Sequence, residues 1–147
     1  MSSSSEAPVV DWEALGKAAR EVQARAHAPY SGYLVGAALL TRGGQVFTGC
    51  NVENATFGLT ICAERSAVVQ MVSAGHRDPV AVAVVTRGPT AAAPCGMCRQ
   101  TLAEFADDMP ILLIVEPPPG GPEAPPPRLT SLSALLPDAF RSDALRL

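Results

Sequence analysis

Charge, aromatic rings and histidine are all scarce in this chain of 147 residues. Charged residues make up 17% and aromatics 5%, and there are two histidines. With 48% of residues apolar, the low charge excludes a wholly disordered chain, because such chains are polar and strongly charged. Basic excess is missing too, since 11 Lys and Arg stand against 14 Asp and Glu for a formal charge of -3. A broad positive field for a polyanionic backbone is therefore absent, as is a track of rings and basic residues for a single strand, so no nucleic-acid partner is expected. The longest apolar stretches, residues 33–40, 80–85 and 111–115, fall well short of the ~20 residues that cross a bilayer. Residues 1–7 are Ser-rich, include Glu6 and lack the basic start and apolar core of an export signal. The expectation is a cytoplasmic protein without membrane contact. No internal repeat is present, and the length suits one domain that buries about 70% of its unfolded surface.

Four cysteines, Cys50, Cys62, Cys95 and Cys98, are too few for a fold built on disulfides. In a reducing compartment, spaced thiols read first as metal ligands or catalytic groups. His27 and His76 flank predicted helix ends without partners at ligand spacing, so neither is a candidate ligand.

After a flexible tail over residues 1–10, a single domain is expected over 11–147. Asp11 is a candidate N-cap for a helix whose apolar face is Trp12, Leu15, Ala19, Val22 and Ala26, with Pro29 beyond its end. Residues 33–41 and 45–50 read as extended segments joined by the turn signal Arg42-Gly43-Gly44. A second helix is predicted over 62–74, closed by Gly75, then a strand over 80–86, a helix over 95–105, a strand over 111–115 and a short helix over 131–136. This alternation predicts an α/β domain with helices layered against a mixed sheet. Seven of the 14 prolines fall in residues 117–127, which marks a loop there.

Two segments carry chemistry: Cys62-Ala63-Glu64 and Pro94-Cys95-Gly96-Met97-Cys98. Cys95 and Cys98 stand at i and i+3 on the first turn of a predicted helix, close enough to share one ion. Cys62 begins another helix, and the partial positive charge of helix amino termini favours thiolate over thiol. Zinc is the natural candidate. Three protein ligands leave a coordination position for water, whose pKa zinc lowers from ~15.7 towards ~7. Glu64, two residues from Cys62, is the candidate proton acceptor. Zinc nucleobase deaminases use this pattern: a His or Cys two residues before a non-ligand Glu, followed by Pro-Cys-x-x-Cys.

Beyond those motifs, the sequence resembles the short, homotetrameric cytidine deaminases of nucleoside salvage. The resemblance runs through residues 30–38, 51–66, 94–100 and 135–140, including Asn51-Val52-Glu53-Asn54. It implies a three-layer α/β/α fold, one zinc ion per subunit and hydrolytic deamination of cytidine or deoxycytidine to the uracil nucleoside, with ammonia released. It further implies that Glu64 carries protons between water, ring nitrogen 3 and the departing amine, and that Arg65 donates hydrogen bonds to ligand sulfurs. Asn51 and Glu53 are implied as ribose partners, Ala63 as a backbone contact to the base, and Tyr33 as an aromatic neighbour. Phe140 matches a ring that reaches a neighbouring subunit's pocket, so each site would be shared. Many relatives carry Phe at the position of Tyr33 and Tyr at that of Phe57, exchanges that keep the ring. Within the same chemistry, another aminopyrimidine nucleoside or an antibiotic analogue is an alternative substrate. From a different class, the alternative is a noncatalytic zinc module that binds a partner through its proline-rich loop. In a structural site Cys50 would complete a four-cysteine set, but that reading leaves Glu64 unexplained.

Overall fold

A computed structural model describes residues 8–145. Helix α1, Trp12–Gln23, starts where Asp11 accepts a hydrogen bond from the Ala14 amide at 3.0 Å. Strands β1, Gly36–Thr41, and β2, Val46–Cys50, form the expected antiparallel hairpin. Helix α2, Ala63–Ser73, is followed by Gly75 at a φ of 93°, the left-handed conformation that suits glycine after a helix. Strand β3, Pro79–Arg87, helix α3, Gly96–Ala103, and strand β4, Pro110–Glu116, follow in turn. Strand β5, Arg128–Ser131, and helix α4, Leu132–Leu135, come after the proline-rich stretch, which holds neither helix nor strand.

The five strands form one mixed sheet in the order β2-β1-β3-β4-β5. Only β3 and β4 run parallel, and α3 lies within the crossover that such a pair requires. On one face, Leu15 and Ala19 of α1 pack over Ala38, Ala81, Ala83, Val85 and Ile114. On the other, Ala67, Val68 and Met71 of α2 and Leu102 of α3 pack over Ala37, Leu39, Val82, Val84 and Ile111. The sheet is thus the middle layer of three. Covered on both sides, β3 is buried from Pro79 through Thr86, and its sequence is correspondingly apolar without alternation from Pro79 through Val85.

Two readings of the sequence need adjustment. The extended segment expected from residue 33 begins as a strand only at Gly36. The Asn51 side chain accepts from the Val35 amide at 2.9 Å and donates to the Tyr33 carbonyl at 2.8 Å, taking groups that a neighbouring strand would otherwise pair. Strand β5 was not anticipated, because four residues directly after prolines are too short to show a period. Of the expected tail, residues 1–7 lie outside the described residues, and Val10 packs against the core beneath α1. Among the described residues, no helix is long and apolar enough to cross a membrane.

The position of α2 depends on Gly49. A Cβ there would collide with the Ala67 amide nitrogen and lie 2.6 Å from the Ala63 carbonyl, both backbone atoms of α2. Gly49→Ala is therefore expected to destabilise the fold by about 1–3 kcal/mol, as overpacked cores do. Gly58→Ala, which meets nothing within 4 Å, should leave the midpoint unchanged. Urea denaturation followed by Trp12 fluorescence checks both.

Candidate active site

Two helix starts converge at one end of the sheet. Cys62 is the N-cap of α2 and Cys95 the N-cap of α3, both with extended backbone and neither using its side chain to cap. Their thiols are thus free to point at one another. Cys62 Sγ lies 3.8 Å from Cys95 Sγ, and Cys95 Sγ lies 3.5 Å from Cys98 Sγ. All three sulfurs fall within 4.8 Å of one another, and no other such trio of candidate ligands occurs among the described residues. Tetrahedral zinc with Zn–S bonds of about 2.3 Å places its sulfurs about 3.8 Å apart, so the trio fits zinc and leaves a fourth position without a protein ligand. Cys50, at the end of β2, is not part of the cluster.

The electrostatics suit a cation. The Cys62 thiol is pulled down to about 5, chiefly by its hydrogen bond with Cys98, with further help from Arg65 and Cys95. Cys98 is pushed up because it keeps the shared proton and is buried. Arg65 Nη2 donates to the Thr60 carbonyl at 2.9 Å, and Nε is buried without a partner within the chain. That anchor holds the guanidinium beside Cys62 and Cys98, and although burial opposes it, the hydrogen bond to Cys62 and the negative charge of that thiolate raise its pKa. Glu64 is 5% exposed, and burial raises its carboxyl to about 7, with the nearby Cys62 charge adding to the rise. A carboxyl poised there can both accept and donate a proton near neutrality.

A cavity of about 270 Å³ opens onto the sulfurs. Cys62, Cys95, Ala63 and Glu64 line one part of it, and Tyr33, Asn51, Glu53 and Ser31 line another. Strand register explains part of its wall. Gly36 pairs with Cys50 on one side and Val85 on the other, so one step beyond the ends of β1 and β2 the register brings Asn51 and Val35 beside Thr86 of β3, all lining the cavity. Ala63 opens α2, where backbone N–H groups have no intrahelical partner and can meet a ligand.

Asn51 and Glu53 also build the wall they line. Besides its bonds to residues 33 and 35, Asn51 accepts from the His27 amide through its own carbonyl at 3.0 Å. Its carboxamide retains one N–H and one oxygen lone pair for other partners. Glu53 accepts from the Tyr30 and Ser31 amides at 3.0 and 3.1 Å and from the Ser31 hydroxyl. These bonds, the Ser31 hydroxyl first, hold its carboxyl below the usual range. Phe140 is 60% exposed and does not line the cavity of its own chain. Tyr30 and Phe57 meet edge to face nearby, ring centroids 5.6 Å apart.

Sequence reasoning missed Ser31 as an individual contact, and it missed Arg99. The Arg99 Nε donates to the Pro94 carbonyl at 2.6 Å and Nη1 to the Leu135 carbonyl at 2.7 Å, tying the Cys95 loop to α4. A guanidinium that bonds a carbonyl 36 positions away leaves no local pattern in the sequence.

Comparison with known proteins agrees with this geometry. A family model described as the cytidine and deoxycytidylate deaminase zinc-binding region matches residues 11–113. The chain is 43% identical over 138 residues to the cytidine deaminase of Mycobacterium tuberculosis, covering 94% of this chain and 96% of that one. It is 48% identical over 96 residues to the cytidine deaminase of Halalkalibacterium halodurans, covering 65% of this chain and 73% of that one. The crystal structure of cytidine deaminase from Burkholderia pseudomallei superposes with a TM-score of 0.80 at 43% identity, covering 89% of this chain and all of that one.

Zinc content separates the thiols. Cys98→Ala should lose most bound zinc, whereas Cys50→Ala should retain about one ion per subunit, as measured by atomic emission after dialysis. Loss of zinc in Cys50→Ala would identify a closed four-cysteine site instead.

Proposed function

The chain belongs to the cytidine deaminase family, and from that premise we propose that it hydrolyses cytidine and deoxycytidine to the corresponding uracil nucleosides, releasing ammonia. One observation carries this reading: the buried carboxyl of Glu64 lines the same cavity as Cys62 and Cys95, two members of the three-sulfur cluster that no fourth protein ligand joins. When bound, zinc supplies the Lewis acidity that makes water a nucleophile near neutral pH.

Glu64 moves the protons. It takes one from the water that adds to ring carbon 4 of the pyrimidine and places it on ring nitrogen 3, then takes the proton of the added hydroxyl and gives it to the amine as the carbon–nitrogen bond breaks and the carbonyl forms. Its buried position, which raises the carboxyl to about 7, suits both directions of transfer. Three thiolates on a divalent ion leave a net negative charge, and Arg65 withdraws part of it by donating to ligand sulfurs. The unpaired N–H of Ala63 orients the base. Asn51 and Glu53 bind ribose hydroxyls with the hydrogen-bonding capacity left over from holding residues 30–35, and Tyr33 supplies a ring beside the nucleoside.

The enzyme assembles as a cytoplasmic homotetramer with shared sites, acting on free nucleosides of the salvage route rather than on nucleic acid. Support comes from Val52, Phe57, Leu59, Ile61 and Met97, exposed apolar side chains that lie within a few residues of the cavity-lining positions in sequence. A cluster of that kind is a candidate for burial against further copies.

Two outcomes test the reading. Glu64→Gln should lower cytidine turnover by about 10²–10⁴-fold while zinc stays bound, measured by ammonia release and metal content. Full activity in that variant, or no turnover of any aminopyrimidine nucleoside by the native protein, would sink the proposal. Sedimentation should give one species at four times the 15.2 kDa chain mass, and a monomer would overturn the shared site.

A further inference from the structure

The carboxy-terminal segment is strapped along α3, the helix that carries two of the sulfurs. Arg99 holds the Leu135 carbonyl at the end of α4. Beyond α4 the chain turns through Asp138, whose φ of 54° is left-handed. Gln100 Nε2 then donates to the Phe140 carbonyl at 2.8 Å. At the far end of α3, Arg141 donates through Nη1 to the carbonyls of Ala103 and Ala106 at 2.9 and 3.2 Å, and through Nη2 to that of Asp107 at 2.9 Å. It also pairs with the Asp107 carboxylate at 3.5 Å.

Phe140 is therefore gripped on its own carbonyl and at the next residue, yet its ring remains largely exposed. Fixing an apolar ring in water costs conformational entropy and buries little within one chain. Contacts that order it are explained if the ring's partner lies outside the chain. We propose that Gln100 and Arg141 are positioning residues: Gln100 from α3, and Arg141 through its hold on the end of α3, fix Phe140 for insertion into the substrate pocket of an adjoining copy. This proposal rests on the shared-site reading above. It links the helix carrying Cys98 in one subunit to substrate binding in another, through the two residues from Cys98 to Gln100 and one hydrogen bond.

A double-mutant cycle tests it on the zinc-loaded enzyme. Gln100→Leu and Arg141→Met should each raise KM for cytidine, and Kd for the product uridine measured by calorimetry, by about two- to tenfold, the range for one lost hydrogen bond. The values of kcat, zinc content and subunit assembly should hold. Combined with Phe140→Ala, neither should add to the effect of Phe140→Ala alone. Multiplying effects in the double variants, or a fall in kcat that tracks a loss of thermal stability, would overturn the positioning role. Arg141 also closes the end of α3, so Gln100→Leu is the deciding variant if Arg141→Met does not fold. An increase in KM for Phe140→Ala with none for the other two variants sinks this proposal and leaves the shared pocket standing. An unchanged KM in Phe140→Ala sinks the shared pocket and this proposal together.

Discussion

The constraint on which this domain depends is the approach of three sulfurs to within 3.5–3.8 Å along two of their edges. Thiolates at that separation repel one another, so the arrangement requires positive charge to balance it. The amino termini of α2 and α3 supply some, because each places a cysteine at its N-cap. Arg65, anchored on Thr60, supplies more, and a divalent cation completes the balance. Neither helix could shift far without opening the cluster. That explains the backbone contact of α2 on Gly49 and the tie between Arg99 and the carbonyl preceding Cys95.

The same convergence sets the protonation of Glu64. Residues i and i+2 diverge within a regular helix, but Cys62 is a cap with extended backbone and Glu64 is only the second residue of α2. The cap residue and the carboxyl therefore line one cavity. Burial and the negative charge of Cys62 act in the same direction on the carboxyl, since both disfavour its ionised form. A site that gathers negative sulfur thus also lifts a neighbouring carboxyl towards neutrality, without a separate device for each task.

Much of this was legible because it is local. Spacing within Cys62-Ala63-Glu64 and Pro94-Cys95-Gly96-Met97-Cys98 is short enough that helix geometry alone brings the groups together, and Asp11 and Gly75 mark helix ends through their own chemistry. Tyr33 was less legible: its apolar surroundings suggested a strand, whereas the Asn51 side chain from a different element takes its backbone pairing. Arg99, Gln100 and Arg141 were illegible as a group, since each bonds a carbonyl 34 to 40 positions away and any residue type has a carbonyl. The short strand β5 was hidden for a third reason, being too brief for periodicity and masked by the prolines before it.

Polar and apolar groups have opposite placements around the site, and that contrast explains how a weakly charged chain binds a polar substrate. Asn51 is 7% exposed and Glu64 5%, while Phe57, Leu59 and Phe140, none of which lines the cavity, are 60–72% exposed. Buried polar groups have to be hydrogen-bonded to be tolerated. Asn51 meets that requirement within the chain, and Glu64 meets part of it by shedding its charge. Exposed apolar side chains carry the opposite cost, which association between copies, as proposed above, would relieve by removing apolar area from water. Few charges are needed under this division. Specificity comes from a few polar groups held rigidly inside, and enclosure comes from apolar surface that a single chain does not cover by itself.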